Sequence, residues 1–98
     1  MGQERPLATI LAEMEQKYGV IFTYDARLIG QYHLHFEFRE RETFDQAVNR
    51  LLAHVGLTYE HLGSRYYVIY ESSRRGQIAV RRIRRKTLQL QRLEEASG

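Results

Sequence analysis

Seven positions near the start of the chain recur in kind 37 residues later. Leu7, Ile10, Leu11, Met14, Tyr18, Gly19 and Val20 correspond to Phe44, Ala47, Val48, Leu51, Val55, Gly56 and Leu57. Apolar positions fall on apolar positions, and glycine falls on glycine. Within each copy the spacing of three, four and seven residues lays the apolar side chains along one helical stripe. A glycine that follows such a stripe can take the left-handed conformation that stops a helix. Two copies fall short of a solenoid, which needs about three repeats or more. The repeat therefore predicts a compact α+β domain built on an internal duplication of a helix–glycine–strand unit.

The second copy carries the fuller punctuation. Thr43 precedes the stripe and Gln46 lies three residues on, the arrangement of a capping box. Leu57, just past Gly56, can fold back on Leu52. In the first copy Pro6 suits the first helical position, where its missing amide costs nothing. Met14 can pack on Val20 across the stop at Gly19. Residues 20–24 are β-branched and aromatic and read as a buried strand. Asp25 can cap a short turn over residues 26–29 that ends at Gly30.

Residues 33–38 alternate, with Leu34, Phe36 and Phe38 to one side and His33, His35 and Glu37 to the other, as in a strand with one wet face. Residues 57–62 and 65–70 flank Gly63-Ser64, which predicts a tight hairpin pairing Leu62 with Arg65, Glu60 with Tyr67 and Thr58 with Ile69. In that register Tyr59, Tyr66, Val68 and Tyr70 form one face packed on the helices. Shifting the strand at 33–38 back by the repeat length puts its counterpart at −4 to 1. The first copy is then expected to lack its leading strand, or the copies differ. A missing strand leaves a sheet edge that recruits other strands. Residues 77–83 are the candidate, in the same molecule or by strand-swapped self-association.

Composition narrows the function classes. The 98 residues suit one modest core. There are no cysteines, which excludes a disulfide, a Cys-ligated zinc site and a thiol nucleophile. No apolar run approaches a membrane span, so direct membrane insertion of this segment is not expected. The first residues hold no signal-peptide core, which leaves a cytosolic chain or one whose leader lies outside the given sequence. The net charge of +3 conceals an asymmetry. Residues 1–73 hold seven Lys/Arg against ten Asp/Glu, and residues 74–98 hold eight against two. The basic pI thus comes from the C-terminal segment, read as a linker or appended short strands (72–98) behind a domain at 1–71.

No constellation for catalysis is present, and an enzyme is not expected. Ser64 lacks a nucleophile elbow, the acid pairs Glu13/Glu15 and Glu40/Glu42 sit in charged surroundings, and no phosphate loop occurs. His33, His35 and Glu37 share a strand face, but a strand surface closes poorly around zinc. Solvated polar residues are the favoured reading, with no metal and no cofactor. Tyr66 and Tyr67 with Tyr59 and Tyr70 could stack bases while Arg81, Arg82, Arg84, Arg85 and Lys86 track phosphates. The Tyr-bearing part is acidic, so a hairpin packed on the helices is preferred and no nucleic acid is expected; a small nucleic-acid-binding module is the alternative from another class.

The order Leu7-x-x-Ile10-Leu11, Gly19 before a strand, Tyr24-Asp25-x-x-Leu28, Ala47-Val48-x-x-Leu51-Leu52 and Gly56-Leu57-Thr58-Tyr59 resembles the short N-terminal domain shared by secretins and TonB-dependent receptors. The resemblance covers roughly residues 6–70. It implies two βαβ-type halves with two helices packed between two small sheets. It implies a periplasmic signalling domain of a TonB-dependent outer-membrane transducer, relaying substrate occupancy to the periplasmic domain of an anti-sigma regulator. A secretin ring domain, or the similar domain that ends some anti-sigma regulators, is the alternative within the same resemblance. The surfaces expected to meet a partner are the strand bearing His33, His35 and Glu37 and the hairpin bearing Tyr66 and Tyr67.

Overall fold

The computed structural model describes residues 3–71, 73, 81, 84, 85, 88–90 and 92. Its elements are β1 (Arg5–Pro6), α1 (Leu7–Tyr18), β2 (Ile21–Thr23), α2 (Ala26–Ile29), β3 (His33–Leu34), α3 (Phe44–Ala53), β4 (Leu57–Gly63) and β5 (Tyr66–Glu71). They form an α+β fold with two small sheets. One holds β1 antiparallel to β3, and the other has the order β2-β5-β4.

Both repeat copies fold as their spacing dictates. Gly19 and Gly56 take φ of 67° and 66°, the left-handed region where a side chain is strained. Thr43 and Gln46 close the capping box in both directions. Asp25 accepts the Arg27 amide at 2.8 Å and starts α2. The first copy uses other means. Pro6 offers no side-chain cap, and the Leu7 amide donates to the Tyr32 carbonyl at 3.0 Å. The Glu15 carbonyl accepts from Gly19 and Val20, and its carboxylate accepts the Phe22 amide at 2.9 Å. One residue thereby turns the chain from α1 into β2.

The core lies between the helices and one face of the three-stranded sheet. Ile10, Leu11 and Met14 meet Ala47, Val48 and Leu51 there, all fully buried, with Phe22, Leu57 and Ile69 below them. Leu7, Ile29 and Phe36 complete it. Burial of this apolar surface is the main favourable term in folding. A ring cluster of Phe22, Phe44, Tyr59 and Tyr67 continues the core toward the surface, Phe44 and Tyr67 having centroids 4.7 Å apart.

Four expectations need correction. A two-residue strand, Arg5–Pro6, stands ahead of α1 and pairs with β3 through Arg5↔Leu34 and Pro6↔His33. Residues 33–38 keep their alternating burial, yet only His33–Leu34 joins a ladder, because β1 offers two residues to pair with. The hairpin register is shifted by one: His61 faces Tyr67, Glu60 faces Val68, Tyr59 faces Ile69 and Thr58 faces Tyr70. Gly63 pairs with Tyr66, an irregularity between His61 and Gly63 absorbs an extra residue, and the turn moves to Ser64-Arg65 with Ser64 at φ 49°. A one-residue slip exchanges the faces. Tyr59, Tyr67 and Ile69 therefore face the helices, while Tyr66, Val68 and Tyr70 face away. Lastly, the segment proposed to pair as strand 77–83 falls mostly outside the described residues, but Arg81 within it is helical, as are Arg84, Arg85, Leu88, Gln89, Leu90 and Arg92.

Candidate functional site

β5 is the middle strand, paired with β2 in parallel and with β4 antiparallel. The outer edge of β4 has no strand beside it among the described residues. At seven residues it is the longest of the described strands, and its outward-facing amides and carbonyls can receive another strand. Beside this edge the aromatic cluster reaches solvent. The His61 ring stacks on Tyr67 at 4.6 Å, and its Nε2 lies 2.6 Å from the Ser64 carbonyl. The Tyr59 hydroxyl donates to Asp45 Oδ1 at 3.3 Å. Burial raises the pKa of Tyr59 and Tyr67, and the Asp45 carboxylate raises both further. Both phenols stay neutral, and tyrosine is among the residue types enriched at protein interfaces.

The expected partner-binding residues do not form one surface. Tyr67 lies in this cluster on the helix side of the sheet, whereas Tyr66 lies on the other side with the Arg65 guanidinium 6.0 Å from its ring. The two therefore make no joint stacking platform. His33, His35 and Glu37 are exposed on the other sheet and its extension, with His35 Nε2 3.4 Å from Glu37 Oε1. Among the described residues no three His, Asp or Glu side chains gather closely enough to hold a metal.

A second feature is not apparent in the sequence, where Glu42 is only one of a pair of acids in charged surroundings. Its side chain is only 8% exposed and receives two bonds of 2.8 Å from Arg50. Arg50 also donates to the Glu37 carbonyl at 2.8 Å and lies 4.2 Å over the Phe36 ring. The Tyr18 hydroxyl donates to the Glu42 carbonyl at 3.1 Å. The Arg50 hydrogen bond holds the Glu42 carboxyl below the usual range. This clamp fixes the charged loop of residues 39–42, where Arg41 takes φ 64°, and so sets the start of α3. The residues are eight apart and lie on different elements, so no local spacing rule links them.

An α+β domain with an open strand edge beside a half-buried aromatic patch presents a surface to which another strand can add. A family model, FecR C-terminal, matches residues 3–68. The chain belongs to the FecR C-terminal family, a domain of anti-sigma regulators in signal transduction. No curated protein and no solved structure matches. The match overturns the resemblance to the short domain of secretins and TonB-dependent receptors. The motifs that carried it were a helix stripe, a stopping glycine and a following strand, grammar that an anti-sigma regulator domain shares. Regulators of this family are inner-membrane proteins of the cell envelope with a periplasmic C-terminal domain. No helix among the described residues is long and apolar enough to cross a membrane.

Proposed function

We propose that this chain is the signal-receiving periplasmic domain of an anti-sigma regulator, with no chemistry of its own. Its partner is the periplasmic signalling domain of a TonB-dependent outer-membrane transducer. The roles expected from the sequence are thereby exchanged, the chain standing on the receiving side of the contact. The family match over residues 3–68 carries this reading. The unpaired β4 edge beside Tyr59, Tyr67 and His61 supports it, because strand addition supplies main-chain bonds and neighbouring aromatic side chains supply selectivity.

Titration calorimetry of the chain against a transducer's signalling domain tests the proposal. Binding is expected, and Tyr59→Ala weakens it about tenfold or more if Tyr59 is one of the dominant contacts. Absence of binding by signalling domains from the same cell, or unchanged affinity after replacing both Tyr59 and His61, counts against it.

A further inference from the structure

The corrected register leaves a second sheet face to explain. Val68 sits on the middle strand and is 0% exposed, and Tyr66 is 5% exposed, yet neither belongs to the core beneath the helices. Their neighbours across the ladders are Glu60 and Gly63 on β4 and Thr23 and Ile21 on β2. Side chains stand roughly perpendicular to a sheet. In-plane neighbours therefore do not bury a valine on a central strand; a layer above it must.

Arg84 identifies that layer. Its guanidinium binds the carboxylate of Glu60, the residue paired with Val68. Arg84 is helical, and so are Arg81, Arg85, Leu88, Gln89, Leu90 and Arg92 around it. The charges match as well, since residues 74–98 are net basic and residues 1–73 net acidic. This segment also lies beyond the part of the chain that the family model covers.

We propose that the outer face of the β2-β5-β4 sheet is an interaction surface for a basic helical segment. Its occupant here is the chain's own C-terminal segment, docked through Arg84 on Glu60. The domain then has two working surfaces: an open β4 edge for a foreign strand, and an outer face already filled in cis.

The absence of cysteine makes the test direct. In the full chain carrying Thr58→Cys and Leu88→Cys, which leaves Glu60 and Arg84 in place, a bis-maleimide should link the two thiols within one molecule. The pair Glu13→Cys and Leu88→Cys, with Glu13 on α1 across the sheet, should not link. Separately, a lone Val68→Cys should react with maleimide on the order of 100-fold more slowly than a lone Glu13→Cys, because reaction waits on local opening. Links that form only between molecules, equal linking by both pairs, or a Val68→Cys rate within a few-fold of the exposed cysteine overturns the proposal. Neither readout involves the transducer, so it fails or stands apart from the family role.

Discussion

Ile10, Leu11 and Met14 of α1 hold the same places as Ala47, Val48 and Leu51 of α3, and all six are fully buried. Past their glycines, Val20 and Leu57 are equally buried, each 8% exposed. The ends of the two units differ. α3 starts from its own capping box, whereas α1 starts from a backbone bond to Tyr32. The strand after α1 is three residues long and parallel to β5, while the strand after α3 runs seven residues and turns back in a hairpin. The difference teaches that duplication preserved the surface that faces inward and released the parts that face outward. The second unit caps its own helix; the first borrows its closure from other parts of the chain.

The largest expected effect probes the shared interior. Met14→Ala and Leu51→Ala should each cost about 2–5 kcal/mol in urea unfolding. A loss in one unit only would break the equivalence. Next come the stops. A Cβ at Gly19 or Gly56 meets no atom within 4 Å, so Gly19→Ala and Gly56→Ala should carry backbone strain alone, about 1–2 kcal/mol each and equal. Thr43→Ala should cost about 0.5–2 kcal/mol by removing the cap of α3, a loss that has no counterpart at Pro6.

The smallest effect is a pH dependence set by the Glu42 carboxyl. The Glu42 carboxyl is lowered in the folded state, first by its hydrogen bond from Arg50. Its contribution is therefore present above the ordinary carboxylate range and fades as pH falls through the lowered value. Glu42→Gln should flatten the acid limb of melting temperature against pH relative to the unsubstituted chain. An unchanged acid limb would remove the clamp from the account.

Local rules made the helices, the stops and the alternation at residues 33–38 legible, because each depends on side chains a few positions apart. The register of the hairpin was not. Gly63-Ser64 looked like the turn, but Gly63 closes the ladder with φ 123° and Ser64 takes φ 49°, a choice set by which face of β5 meets the helices. Tyr66 and Tyr67 thus changed sides. The Glu42–Arg50 clamp was hidden because it forms across two elements. The family was misread because packing grammar, which both domain types obey, dominates a chain this short.

The parallel pairing of Ile21↔Tyr66, Phe22↔Tyr67 and Thr23↔Val68 sets an order of assembly. The strand of the first unit has no sheet to join until the last strand has been made and delivered. Non-local pairing of this kind slows folding. Until the hairpin arrives, β2 has no backbone partner in this sheet. The middle strand thereby makes completion of the sheet wait on the far end of the domain.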